Sequence, residues 1–353
     1  MNEKSHAITG CLLGTAVGDA LGLAGEGLSR RRLARLFPDM SRMHFLGHWG
    51  MVSDDTEHTC LVAQALIESA GETDAFTRAL ARRLRFWLLG LPAGVGWATL
   101  RAILKLWVGA PPDRSGVWSA GNGPAMRSAL LGVCYGDGPG HLKILVRASS
   151  RMTHTDPRAE AGALAVAVAA HLASQRLPGD ALPDFYLQAM EKHLEKSELL
   201  RLIEKAAASV KADETTDSFA AAIGAGQRVT GYVNLTVPIV VHAWLSFPSD
   251  YASAVLSVIR CGGDTDTTAA IVGAIVGAAV GEGGIPMEWL AALAEWPRTV
   301  DWMKHLGNQL TESQEFGVMR KPLGLPFVPL MARNLLFTTV VLAHGFRRLL
   351  PPY

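Results

Sequence analysis

Cys261-Gly262-Gly263-Asp264-Thr265-Asp266-Thr267-Thr268 leads directly into Ala269-Ala270-Ile271-Val272-Gly273-Ala274-Ile275-Val276-Gly277-Ala278-Ala279-Val280. From Ala269 to Val280 no side chain is polar on any face, which marks a helix buried all round. Its mouth is acidic. The macrodipole favours carboxylates there by only about 0.3–1 kcal/mol each near a surface, whereas an unpaired buried carboxylate costs roughly several kcal/mol or takes up a proton. No Lys or Arg lies between Asp264 and Gly284, and Arg260 is the only nearby base in sequence. A cation is expected at this mouth, and an all-oxygen donor set favours Mg²⁺, Mn²⁺ or Ca²⁺ over zinc. The plainer alternative is that Asp264 or Thr265 simply N-caps the helix.

A second acidic stretch, Gly50-Met51-Val52-Ser53-Asp54-Asp55-Thr56-Glu57, stands far upstream at the head of a helix reaching Ser69. Ser53 can cap that helix, and acids suit its first turn. Adjacent Asp54 and Asp55 repel each other, however, and one cap needs only one of them. With Asp264 and Asp266 they give four carboxylates, joined by the hydroxyls of Ser53 and Thr267. That is enough oxygen for two octahedral ions completed by water and substrate.

At 353 residues the chain suits one large domain or two small ones. Nearly half the residues are apolar, as in a globular protein. A net charge of +1 and no basic run longer than Ser29-Arg30-Arg31-Arg32 argue against nucleic acid as a partner. Cys11, Cys60, Cys134 and Cys261 stand alone, as core residues do in a reducing compartment. The polar N-terminus and Asp19 within the apolar stretch that follows speak against a cleaved signal peptide, so a cytoplasmic location is expected. Asn334 to Ala343 is apolar but shorter than the ~18 residues that span a bilayer. It reads as a helix packed on the domain or on a partner, with an interfacial anchor as the alternative.

Helical periodicity dominates, so the expected fold is all-α: a compact, bundle-like multi-helix domain around a central buried helix. Helices are expected to begin near Ile8, Asp54, Asp74, Pro124, Leu142, Pro157, Leu182, Ser197, Asp217, Asn234, Ser249, Thr267, Pro286 and Thr299. The domain is expected over 7–311, with an apolar, basic extension over 312–353. Gly10, Gly14 and Gly18 punctuate the first helix at a spacing that lets another backbone approach closely. Gly18-Asp19-Ala20-Leu21-Gly22 then precedes Gly25-Glu26-Gly27, where Glu26 is either a mobile site acid or a plain surface charge.

Two further loops carry polar groups. Ser119-Ala120-Gly121-Asn122-Gly123-Pro124-Ala125-Met126-Arg127 puts glycines before a helix start, which serves either as a phosphate contact or as an ordinary helix entry. Arg127 there is either a phosphate partner or a helix-surface charge. Met152-Thr153-His154-Thr155-Asp156-Pro157 places His154 in a polar turn, facing either a ligand or solvent.

Taken in order, these stretches resemble the ADP-ribosylglycohydrolase family, named for the dinitrogenase reductase-activating glycohydrolase, over about residues 7 to 300. The resemblance implies two Mg²⁺ ions, or Mn²⁺, held by Ser53, Asp54 and Asp55 on one side and Asp264, Asp266 and Thr267 on the other. It implies ADP-ribose contacts from Ser119, Gly121, Asn122, Gly123 and His154, and a mobile acid, Glu26, near the reacting centre. Glu26 and Asp55 are the groups expected to manage the proton. The implied activity is hydrolysis of the C1″ bond of ADP-ribosylated protein side chains with release of ADP-ribose, arginine being the first expected acceptor. Serine-, nucleic-acid- and small-molecule-linked ADP-ribose are alternative substrates. A non-catalytic ADP-ribose reader or an immunity-type binder of an ADP-ribosylating toxin is the alternative of a different class. Ser53 stands where the family often has Thr and keeps the hydroxyl. The Ser119-Ala120 lead-in differs from that of the nitrogen-fixation enzymes.

Overall fold

The computed structural model describes residues 2–194 and 196–349, and among them no β-strand forms. The first helices are α1 (Glu3–Gly22), α2 (Arg30–Leu36), α3 (Asp54–Ser69), α4 (Thr73–Leu89) and α5 (Trp97–Trp107). Next come α6 (Ala129–Tyr135), α7 (Pro139–Arg151), α8 (Pro157–Ser174), α9 (Leu182–His193), α10 (Glu198–Lys211) and α11 (Thr216–Ala222). The chain closes with α12 (Val233–Ser246), α13 (Tyr251–Ile259), α14 (Thr265–Val280), α15 (Met287–Ala291), α16 (Val300–Phe316) and α17 (Phe327–Arg347).

Most expected starts fall within a few residues of these bounds, and the exceptions have local causes. Helix α1 begins ahead of Ile8 because the Asn2 side chain accepts the Ser5 amide at 2.7 Å and caps it. After Pro124 the chain makes a short 3₁₀ turn, Ala125–Arg127, before α6. Helix α5 was not expected at all. The 311/312 boundary falls inside α16, which runs unbroken to Phe316 and ends where Gly317 turns left-handed at φ 62°.

The centre of the fold is the contact of α1 with α14. An added Cβ on Gly10, Gly14 or Gly18 would sit 2.0, 2.1 and 2.1 Å from the backbone oxygens of Gly277, Gly273 and Ala269. As numbers rise on one helix they fall on the other, so the pair is antiparallel. Backbones this close leave no room for side chains between them, and the four-residue glycine spacing read in α1 is what permits it. Tyr251 of α13 locks the crossing by donating to the Gly14 carbonyl at 2.6 Å. The antiparallel sense brings the acid-bearing end of α14 against the exit of α1, where Asp19 and the Glu26 loop lie.

Among the described residues, two helices are long and apolar enough to cross a membrane by length and composition: α1 with its 3₁₀ extension, and α17. The first is wholly buried within the protein, and the second is 22% buried. Helix α17 runs well beyond the short apolar stretch at 334–343, so the length argument made from that stretch does not hold. Its inner face is pinned to the domain by buried Arg333, Asn334 and Phe337.

Candidate active site

The turn into α14 is built by two glycines in the left-handed region, Gly262 at φ 67° and Gly263 at φ 88°. A Cβ on Gly263 would stand 1.9 Å from the Val229 carbonyl oxygen, so no other residue fits. The Gly263 amide donates to the Leu28 carbonyl and the Gly27 amide to the Gly263 carbonyl, both at 2.7 Å. These bonds fasten the Glu26 loop over the mouth of α14. Asp264 precedes the helix without a capping hydrogen bond from its side chain. Its Oδ2 instead accepts from Asn122 Nδ2 at 2.7 Å, while Thr265 Oγ1 donates to the Gly22 carbonyl at 2.7 Å. Simple capping by either residue is therefore excluded.

The upstream stretch meets this one directly. Ser53 caps α3 by accepting the Asp55 amide at 3.3 Å, and its hydroxyl donates to Asp55 Oδ2 at 3.1 Å. Thr267 Oγ1 donates to the same Asp55 oxygen at 3.2 Å, joining residues far apart in sequence. Asp19 holds the turn from behind, accepting from the amides of Ser53 and Thr56 and from the Thr56 hydroxyl. Sequence reasoning gave Asp19 no role. The available signal was the one charged residue in the run from Ala7 to Ala24, which must find donors when buried.

The cluster is electrostatically incomplete. Asp55 Oδ1 and Asp266 Oδ1 are buried and accept no hydrogen bond. Burial, then the charges of Asp19, Asp54 and Asp264, raises the Asp55 pKa well above the usual carboxylate range. Asp266 is raised well above it by burial and then by Glu26, Asp264 and Asp55. Asp54 follows for the same reasons, burial first and then the charges of Asp19, Glu57 and Glu26. Burial raises Asp264 too, against the Asn122 hydrogen bond, and raises Asp19 to about 7 against the bonds from Thr56 and Ser53.

Orphaned buried oxygens with no nitrogen or sulfur in the set fit a hard divalent cation. Among the described residues no three His, Cys, Asp or Glu side chains close into a metal cage. The binuclear centre expected from the sequence is therefore not shown by the described residues.

A pH dependence follows. In the cation-free fold these carboxyls hold protons more tightly than in the unfolded chain, where an aspartate titrates near ~3.9. Their contribution to stability is complete below that value and is lost as pH rises through the folded values, about 7 for Asp19. Thermal melts of chelated protein should therefore fall from about pH 5 to about pH 8, and saturating Mg²⁺ should flatten the fall. A melting temperature that climbs over that interval without metal would contradict the assignment.

The opposite wall is the Gly121–Gly123 loop. It is fixed by the Asn122 amide donating to the Gly231 carbonyl at 2.9 Å and by Asn122 Nδ2 donating to Thr236 Oγ1 at 3.1 Å. His154 packs beneath it: a Cβ on Gly121 or Gly123 would come within 3.0 Å of the ring. Burial, then the charge of Arg127, pushes its pKa down to about 3, so His154 is neutral near pH 7. Ser119 Oγ accepts the Gly121 amide at 3.3 Å. Arg127 corrects both of its readings, being neither a surface charge nor a phosphate partner. It is fully buried and donates to Ser149, Thr153 and the Gly123 carbonyl, bracing the loop from inside.

These walls enclose a cleft of about 330 Å³ lined by Glu26, Asp54, Ser119, Gly121, Asn122, Gly123, His154, Asp264, Asp266 and Thr267. Ser53 and Asp55 lie buried beneath it. Glu26 is exposed at the loop tip yet crowded by protein on one side. That partial burial, then Asp264, raises its pKa, and Arg348 opposes the rise. Trp97 and Thr99 also line the cleft, and Trp97 is 72% exposed at its rim. Neither was singled out from sequence. A second cleft of similar volume, beside Asp213 and Phe247, contains none of the residues expected to hold metal or ADP-ribose.

The ADP-ribosylglycohydrolase family model matches residues 2–317. A protein of Archaeoglobus fulgidus is 31% identical over 88% of this chain and 97% of its own length. The ADP-ribosyl-[dinitrogen reductase] glycohydrolase of Rhodospirillum rubrum is 27% identical over 80% and 89%, and the ADP-ribosylhydrolase ARH3 of Xenopus tropicalis is 26% identical over 84% and 93%. Among solved structures, an ADP-ribosylglycohydrolase-related protein complex superposes with a TM-score of 0.68 at 27% identity, covering 89% of this chain and all of that one.

Proposed function

Because the chain belongs to the ADP-ribosylglycohydrolase family and is thereby a hydrolase of glycosidic bonds, we propose that it removes ADP-ribose from modified protein side chains in a reaction dependent on Mg²⁺ or Mn²⁺. The observation that carries this reading is the meeting of Thr267 with Asp55 beside two buried carboxylate oxygens that have no partner. A reader of ADP-ribose needs no such frustrated acid cluster, and neither does a toxin-blocking protein.

Ser53, Asp54, Asp55, Asp264, Asp266 and Thr267 are the residues that would hold the metal. Bound divalent ions would supply positive charge for the ribose hydroxyls and lower the pKa of a water. Asn122 keeps Asp264 oriented, and the Gly121–Gly123 backbone is open to the diphosphate and ribose. Neutral His154 supports that loop and offers a ring nitrogen to the ligand. Exposed Trp97 at the rim is suited to stacking on the adenine. Hydrolysis adds water oxygen to C1″, breaks the bond from C1″ to the acceptor atom, and delivers one proton to the departing side chain. Glu26, raised in pKa and standing over the cluster, is suited to hold that proton, with Asp55 as the second candidate.

Arginine is the acceptor we place first, and a cytoplasmic location agrees with four free, buried cysteines. The test is a panel of arginine-, serine- and nucleic-acid-linked ADP-ribose incubated with Mg²⁺, with and without chelator. Release of ADP-ribose from the arginine linkage, abolished by chelation, is the expected result. Binding of ADP-ribose with no release from any linkage would favour the reader.

A further inference from the structure

The family match stops at residue 317, but the chain continues into α17, which touches the segment leading into Ser53 and the turn leading into Glu26. Near its start, Arg333 donates to the Val52 carbonyl, one residue before Ser53. The same guanidinium pairs with Glu295 at 2.7 Å and with Glu57 at 3.4 Å, and Glu295 accepts the Val52 amide at 3.1 Å. At its far end, Arg348 donates to the Ala24 carbonyl at 3.0 Å, two residues before Glu26, while Arg32 donates to the Arg348 carbonyl. Between these points Phe337 packs against Phe45, Leu23 and Met51, and His344 Nε2 meets the Phe45 carbonyl at 2.7 Å. From Arg333 to Arg348 a helix spans about 22 Å, a stiff strut compared with a loop held between two glycines.

We propose that α17 is a positioning strap for the catalytic cleft: Arg333 at the Val52 carbonyl and Arg348 at the Ala24 carbonyl fix the Ser53–Asp55 turn and the Glu26 loop relative to one another. This role rests on the hydrolase reading given above. Arg348 is a positioning residue, acting through the 3₁₀ turn Leu23–Gly25 that presents Glu26. It also brings a positive charge near Glu26 and Asp266, which holds the loop acid toward the cluster despite like-charge repulsion. Arg333 shares in a buried ion network whose loss would disturb the fold, so Arg348 is the position at which the strap can be tested.

The experiment uses the full-length chain as Arg348→Ala and Arg348→Lys. Hydrogen exchange of the Gly27 and Leu28 amides should quicken about tenfold in Arg348→Ala, with α14 and the melting midpoint unchanged. kcat for ADP-ribose release should fall about tenfold with KM held within twofold, as for loss of a group that orients a site residue. Arg348→Lys keeps a donor for the Ala24 carbonyl and should recover most of both. Unchanged exchange at Gly27 and Leu28 overturns the strap, and so does quickened exchange with kcat intact. Exchange is read without activity, so a wild-type protein that releases no ADP-ribose refutes the hydrolase reading separately.

Discussion

Asp266→Asn is expected to slow ADP-ribose release by about 10³-fold, roughly 4 kcal/mol of transition-state free energy, while making the metal-free protein more stable. The two effects have one cause. Asp266 is buried, its Oδ1 has no partner, and its charge is opposed by Glu26, Asp264 and Asp55. A neutral amide relieves that repulsion in the empty site, so the fold gains. The same change removes an anionic oxygen that a cation needs, and loss of a direct ligand exceeds the ~10–100-fold seen for outer-shell partners. Kinetics on the modified substrate and thermal melts in chelator read the two halves independently. A purely structural acid would give the opposite pairing: lower stability and activity reduced only as far as the folded fraction is reduced.

The largest effect on stability is expected from Gly14→Val. Its Cβ would stand 2.1 Å from the Gly273 carbonyl oxygen and 3.2 Å from the Gly277 Cα, both parts of a helix backbone that cannot swing aside. Overpacking in a core ordinarily costs about 1–3 kcal/mol. Here a β-branched side chain must part the two central helices, so the cost should exceed about 4 kcal/mol and leave little soluble folded protein. Gly140→Ala is the matched control, because nothing lies within 4 Å of an added Cβ there and the residue is exposed in the first turn of α7. It should be neutral or stabilising by up to about 1 kcal/mol. Circular dichroism melts of the pair check the claim, and a Gly14→Val protein melting like wild type would contradict it.

The parts legible in the sequence were those with a local chemical reason. Gly10, Gly14 and Gly18 announced a close backbone approach through spacing alone, and α14 took their register. The acid stretches at 53–55 and 264–267 announced that they meet, because neither could be neutralised by neighbours in sequence, and Thr267 does reach Asp55. What was not legible depends on which way a side chain faces after the helices pack. Asp19 braces the start of α3 only because α1 presents it toward Ser53 and Thr56, a fact absent from both segments taken singly. Arg127 looked like a charge near a helix start, yet the packing of that turn on α7 and α8 buries it completely. Trp97 and α5 follow the stretch Gly90-Leu91-Pro92-Ala93-Gly94, whose sequence gives no sign of bordering the cleft. The reach of α17 was hidden by Arg333, which looked like the polar edge of the apolar stretch but is folded inward onto Glu57 and Glu295.

The central claim is that six oxygen-bearing side chains, Ser53, Asp54, Asp55, Asp264, Asp266 and Thr267, share bound divalent metal. Anomalous diffraction from crystals soaked in Mn²⁺ and ADP-ribose, recorded at the manganese edge, addresses it most directly. The account predicts anomalous peaks between Asp55 and Asp266 with the distal ribose beside them. Ordered ADP-ribose in the cleft with no manganese between those two residues would contradict it.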